Sequence, residues 1–272
     1  MAHIELKAQQ LLKRRAELRN PPNTIRELET FSKWPRTGLR RGVPFADAAD
    51  LNNRSDNYVE AAINYVEAAN CFKRCDISKA VDYFIKAINI YCEKGKFVMA
   101  AKYHQAIAEL LEDEDDREDA VSHYEKAAGL FKQECNFSSA NKCLEKIAEY
   151  SALSSDYHKA INIFQEIACF DLASSVLRYC AKHYLFCASI CLLCSEVDIS
   201  AKLQTYVNMY PAFEDSREYH LIQCLAGCIE HNDADGFTMA VKKYDSLSKL
   251  SQWHVTMLLR AKKQIREYPD LR

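Results

Sequence analysis

AVDYFIKAINIY at residues 80–91 is followed forty residues later by AVSHYEKAAGLF at 120–131 and, after another forty, by AINIFQEIACF at 160–170. Ala80, Ala120 and Ala160 open the three segments in one register. The intervening stretches keep the same period. AAKYHQAIAEL at 100–110 matches ANKCLEKIAEY at 140–150, pairing Ala100 with Ala140, Lys102 with Lys142, Ile107 with Ile147, Ala108 with Ala148 and Glu109 with Glu149. Apolar residues at i, i+3, i+4 and i+7 within each segment define an amphipathic helix. Two such helices make an antiparallel hairpin that cannot bury its apolar face alone, whereas stacked hairpins can. Alanines seven residues apart on one face, at 80/87 and 120/127, let neighbouring helices approach to about 8 Å. Tyr83, Tyr91, Tyr124, Phe131 and Phe164 fill the wider gaps. The period exceeds the roughly 34 residues of a tetratricopeptide repeat, so the kinship is to that architecture and not to its consensus.

The rest of the chain agrees with this reading. The 272 residues include only 6 Gly and 6 Pro, and between Pro44 and Pro211 there is no proline at all. Proline removes a backbone donor and clashes with the preceding turn, so its absence leaves long helices uninterrupted. Asp76 and Ser78 precede a helix at 79–93 that stops at Gly95. The acidic run EDEDDRED at 112–119 reads as a hairpin loop leading into the next helix. Past about 196 the register fades, and helices at 199–208, 214–231, 234–246 and 250–266 form a C-terminal bundle that caps the stack. The expected fold is all-α: a divergent N-terminal helix and Pro-containing arm (1–44), a TPR-like helical-hairpin solenoid (45–196), and a C-terminal helical bundle and tail (197–272).

Composition narrows the function. A net charge of -2 gives no global basic field, which argues against binding to a nucleic-acid backbone. The 12 cysteines sit mostly inside apolar periodic segments and read as reduced thiols. The N-terminal MAHIELKAQQLLKRR lacks the uncharged core of a secretory signal, and the longest apolar run, YLFCASICLLC at 184–194, is too short to span a bilayer. A soluble cytoplasmic protein is the expectation. No HExxH, GxSxG, GxGxxG or GxxxxGK[ST] motif occurs, so neither an enzyme nor a cofactor is expected. Cys187, Cys191 and Cys194, with Cys180 two turns earlier, share a helical face. Four cysteines on one helix do not converge on one ion, and no CxxC pair or His-x3-His partner accompanies them, so they read as a buried apolar face.

The sharpest polar feature is a ladder. Lys102, Lys142 and Lys182 recur at forty-residue spacing, which in a regular stack sets one ammonium at the same place on three successive second helices. Neighbouring members would lie about 10 Å apart, the helix-to-helix distance. Lys146 and Arg178 stand one turn away from ladder members, and Lys96 opens its helix. Such a row suits a long, rigid, acidic partner. Residues 1–42 add ten Lys and Arg against four Glu, enough for weak electrostatic contact with acidic lipid or an acidic partner.

SSANKCLEKIAEYSAL at 138–153, YPAFEDSRE at 210–218 and YDSLSKLSQWHVTMLLRAKKQI at 244–265, with the ending Asp270-Leu271-Arg272, resemble soluble NSF attachment proteins of the alpha/beta type. The resemblance runs from about residue 42 onward. It implies a non-enzymatic adaptor of vesicle trafficking that binds the acidic four-helix SNARE bundle, is peripheral on membranes through it, and recruits and stimulates the hexameric NSF ATPase. By this resemblance Lys96, Lys102, Lys142, Lys146, Arg178 and Lys182 face the SNARE bundle. Leu271 is the leucine that stimulates the ATPase, with Asp270 beside it, and Glu230 and one of Glu196 or Asp198 are acids that meet it. The chain departs from the family at Cys187, where a further lysine is usual, at Gly227 and His231, where acids are usual, and at 20–38, which lacks a Phe-Phe membrane loop. These departures suit a divergent paralogue that binds SNAREs but stimulates NSF poorly. A general TPR-like scaffold for acidic helices is the other alternative.

Overall fold

The computed structural model describes residues 38–114, 116–195 and 198–265. The basic N-terminal arm with Trp34, and Glu196, Asp270 and Leu271, lie outside the described residues. Among the described residues the chain is all-helical: α1 (Gly38–Arg54), α2 (Tyr58–Phe72), α3 (Ile77–Glu93), α4 (Phe97–Asp113), α5 (Arg117–Gln133), α6 (Phe137–Leu153), α7 (Tyr157–Ala173), α8 (Ala181–Cys194), α9 (Ile199–Met209), a 3-10 turn (Pro211–Phe213), α10 (Arg217–Glu230), α11 (Ala234–Leu247) and α12 (Gln252–Lys262).

The forty-residue period has a simple origin. Each helix from α3 to α7 is 17 residues long, and each connection between them has three, so one hairpin and its link to the next repeat every forty. The connections close alike. A residue in the left-handed region sits at the middle of the turn: Asp56, Gly95, Cys135, Ser155 and, in the C-terminal part, Asn232, all with φ between 55° and 67°. The next amide then donates to the carbonyl five residues back, as Lys96 to Tyr91, Asn136 to Phe131 and Asp156 to Ser151, each at 2.8 Å. This closure satisfies a carbonyl at the helix end that would otherwise be orphaned. Asp76 and Asp156 cap the following helices, accepting from the amides of Lys79 and Lys159 at 3.1 Å.

The chain divides into two compact units at Cys143 and Leu144, within α6. In the first, α1 to α5 pack each on the next. The alanines lie where helices meet: Ala80, Ala87, Ala100, Ala108, Ala120 and Ala127 are fully buried, and Phe84, Tyr124 and Phe131 fill the gaps between them. Each of these aromatics contributes about 1.5–3 kcal/mol by leaving water. Tyr83 stacks on Phe72 and Tyr65, with ring centroids 5.4 and 6.2 Å away.

In the second unit α8 is the hub. It packs on α7, α10 and α12, and from Leu185 to Cys194 every side chain is buried. That accounts for the run YLFCASICLLC: a helix surrounded on all sides is apolar all round. No helix among the described residues is long and apolar enough to cross a membrane. α12 is clasped to the end of α6 by main-chain acceptors. Trp253 Nε1 donates to the Glu149 carbonyl at 3.1 Å, and the Arg260 guanidinium donates to the carbonyls of Ala152 and Leu153 at 3.0 and 2.7 Å. A cation at the carbonyl end of a helix is also favoured by its dipole.

The C-terminal helices begin and end within a few residues of the expected limits. The helix expected from 214 instead starts at Arg217, because Ser216 caps it by accepting from the Tyr219 amide at 3.1 Å.

Candidate functional site

Lys102 and Lys142 are each the sixth residue of a 17-residue helix, and both are exposed. Their equivalence follows from the equal lengths of the elements before them. Lys96, also exposed, immediately precedes α4, and Lys146 is half-buried one turn after Lys142.

The third rung differs. The link between α7 and α8 is a seven-residue turn, 174–180, so Lys182 is the second residue of its helix and not the sixth. The expectation of one position on three successive helices therefore holds for two of them. Arg178 sits in that turn, with its guanidinium 5.9 Å from the Tyr210 ring centroid. Lys182 Nζ is 3.3 Å from Glu218 Oε1, so its charge is shared with a carboxylate of its own chain. The same turn carries Val176 and Tyr179, each 81% exposed on either side of Arg178. Sequence reasoning missed this pair because helical periodicity assigned 174–180 to a helix face.

Of the acids expected to meet the ATPase, the two among the described residues lie at helix ends. Asp198 caps α9, accepting from the amides of Ser200 and Ala201 at 2.9 and 3.4 Å. Glu230 is exposed at the last position of α10, where the helix dipole disfavours a carboxylate. Beside it, His231 Nδ1 is 2.8 Å from the Gly227 carbonyl and closes the helix end.

The cysteine face needs one correction. Cys187, Cys191 and Cys194 are buried as expected, but Cys180 precedes α8 and is exposed, because the helix begins only at Ala181. All twelve cysteines are free. Cys187 has neighbours that the sequence reading did not join to it. Its Sγ lies 3.7 Å from His183 Nε2 and 3.5 Å from His254 Nε2, and the three ligand atoms fall within 4.8 Å of one another. The Glu145 carboxylate stands 3.7 Å from His183 Nε2 and accepts from Tyr184 Oη at 3.3 Å. The hydrogen bond from His183 holds the Glu145 carboxyl below the usual range, against burial, which raises it. Burial, followed by the His183 charge, brings His254 down to about 4, so its imidazole is neutral at pH 7. Burial likewise pushes the Cys187 thiol well up. His183 and Cys187 are four apart on one helix, a spacing visible in the sequence. His254 is brought in by the packing of α12 on α8.

Helical hairpins of fixed length, two of them bearing an exposed lysine in register, place the chain among α-helical repeat proteins. Residues 35–266 match the family described as "Soluble NSF attachment protein, SNAP", and the chain belongs to that family. It is 43% identical to the alpha-soluble NSF attachment protein of Homo sapiens over 244 residues, 88% of this chain and 82% of that one. It is 41% identical to the beta-soluble NSF attachment protein of Bos taurus over 86% of this chain and 79% of that one. Identity to the alpha-soluble NSF attachment protein of Vitis vinifera is 36%, over 86% of this chain and 82% of that one.

Proposed function

We propose that the chain is a non-enzymatic adaptor that binds the SNARE four-helix bundle and recruits the NSF ATPase hexamer for SNARE disassembly. In this reading the repeats at 45–196 carry the SNARE contact and the bundle at 197–272 the ATPase contact. Membership of the family carries the proposal. The observation most specific to this chain is the exposure of Lys102 and Lys142 at the same step of two equal helices, with Lys96 close by. Individual surface charges contribute little. A row facing a rigid acidic rod acts collectively, on encounter rate and register above all.

Lys146, Arg178 and Lys182 extend the same surface chemistry, and Val176 and Tyr179 add apolar area beside Arg178. Glu230 and Asp198, with Glu196, Asp270 and Leu271, are assigned to the ATPase. Membrane contact is weak and electrostatic, through the basic N-terminal segment. The protein is cytoplasmic and peripheral on membranes through its SNARE complexes.

A pull-down of the assembled SNARE bundle with and without NSF tests this directly. Wild type should be retained by the bundle, should bring NSF with it, and should support ATP-dependent disassembly. Leu271→Ala should keep SNARE retention and lose stimulated hydrolysis. No retention on the bundle would overturn the reading.

A second reading has its own observations. Lys182 is committed to Glu218, Cys187 is buried where a further lysine is usual in the family, and His231 and Gly227 pair with each other where acids are usual. These favour a divergent paralogue that occupies SNAREs but stimulates NSF poorly. Retention on the bundle without stimulated disassembly would select it.

A further inference from the structure

We propose that His183, Cys187 and His254 form a mononuclear zinc site, with a fourth position open to water beside Glu145. The distances suit this chemistry. Zinc bound tetrahedrally, at about 2.3 Å to sulfur and 2.0–2.1 Å to imidazole nitrogen, separates a thiolate from an imidazole nitrogen by about 3.6 Å. Sγ of Cys187 already stands 3.7 and 3.5 Å from the two Nε2 atoms. Little rearrangement is needed to admit the ion.

The ligands are also held as a metal site requires. His183 and Cys187 share one face of α8, a turn apart, and His254 comes from the first turn of α12, so two packed helices fix the geometry. The Nδ1 atom of His254 lies 2.6 Å from Ser251 Oγ. That nitrogen also accepts from the Ser251 amide at 3.3 Å, so an ion at Nε2 calls for the other tautomer, in which Nδ1–H donates to Ser251 Oγ and the Nε2 lone pair turns to the ion; such an outer hydrogen bond fixes tautomer and ring orientation in metal sites. When His183 Nε2 takes the ion, its contact to the Glu145 carboxylate at 3.7 Å is given up, and that carboxylate stands as negative charge beside the open position. Cys187 and His254 are buried, while the His183 side chain is 48% exposed and gives the ion an entry path.

A thiolate with two imidazoles selects zinc over magnesium or calcium, which prefer oxygen ligands. Binding costs one proton: the Cys187 thiol releases it as the Zn–S bond forms, and no oxidant or reductant takes part. The alternative is a buried thiol that merely packs between two rings.

Cobalt(II) separates the two. The full-length chain, stripped with a chelator, is titrated with Co2+ and followed by absorption. The site predicts saturation at one ion per chain, with thiolate-to-cobalt charge-transfer bands and the intense visible bands of tetrahedral cobalt, displaced by one equivalent of Zn2+. Cys187→Ser should abolish the charge-transfer bands. His183→Gln, which changes an exposed residue and spares the core, should weaken binding at least tenfold while the far-ultraviolet circular dichroism stays that of wild type. Zn2+ should raise the melting temperature of wild type and not of His183→Gln. Absence of a stoichiometric cobalt spectrum, or its survival in Cys187→Ser through any of the other thiols, would overturn the proposal.

Discussion

Lys182 Nζ lies 3.3 Å from Glu218 Oε1, and the same oxygen accepts from Tyr244 Oη at 3.2 Å. The lysine side chain is 42% exposed and the carboxylate only 15%. The lysine proposed as the third rung is thus also a counterion for a largely buried acid.

The ladder variants should therefore separate by stability. Lys102→Glu and Lys142→Glu change exposed side chains and should leave the melting temperature within a degree or so. Lys182→Glu sets a second carboxylate against Glu218 and should cost about 1–2 kcal/mol, which for a chain of this size is roughly 2–8 °C. Lys182→Gln should cost less. Reversing Lys102 and Lys142 together should abolish SNARE retention without a melting penalty, a clean measure of the charge effect.

Tyr179 offers a test independent of charge. It is 81% exposed beside Arg178. An exposed aromatic next to a cation is the composition of a binding anchor, and its loss typically costs about 1–2 kcal/mol of affinity. Tyr179→Ala should weaken SNARE binding about tenfold and leave thermal stability unchanged, as read by titration and melting of the same preparation.

Acid should destabilise the fold through a histidine pair. His104 Nδ1 stands 3.0 Å from His123 Nδ1, so one ring donates to the other and both cannot be charged there. Burial, and then the His123 charge, brings His104 down to about 4, and burial likewise lowers His123. In the unfolded chain both titrate near 6.5. The unfolded state takes up protons first, so stability is full above about 6.5, falls as the pH drops toward 4, and levels off below. Unfolding free energies from urea melts across this window should fall more steeply for wild type than for His104→Gln, by about 1–2 kcal/mol in total after allowance for partial exposure.

Gly42 and Cys135 should respond in opposite directions to exchange of glycine and side chain. A Cβ on Gly42 would run into the buried Phe72 ring, so Gly42→Ala should destabilise by about 1–3 kcal/mol although alanine is the better helix former. Cys135 is exposed at φ 55°, so Cys135→Gly should relieve strain and stabilise by up to about 1 kcal/mol. Denaturant midpoints read both.

The sequence displayed the regular part of this molecule because its elements have equal length: 17 residues and a three-residue turn give a period that alanine makes visible. It concealed 174–180 because SSVLRYC has no glycine or proline and continues the helical pattern. Only the start of α8 at Ala181 shows that a turn has displaced Lys182 and freed Val176 and Tyr179. His183 and Cys187 were readable as a pair. His254, 67 residues after Cys187, joins them through tertiary packing, which periodicity does not encode.

The clasp of Trp253 and Arg260 on the end of α6 divides evolutionary freedom unequally between its two sides. Its acceptors are the main-chain carbonyls of Glu149, Ala152 and Leu153, atoms that every residue supplies. Substitutions at those three positions leave the acceptors in place, so the donors can survive drift in the residues they grip. Loss of Arg260 has no such refuge, since lysine's single ammonium cannot reproduce a planar fork spanning two successive carbonyls. The grip of α12 on α6 is written in two side chains on one helix, while the surface that receives them remains open to change.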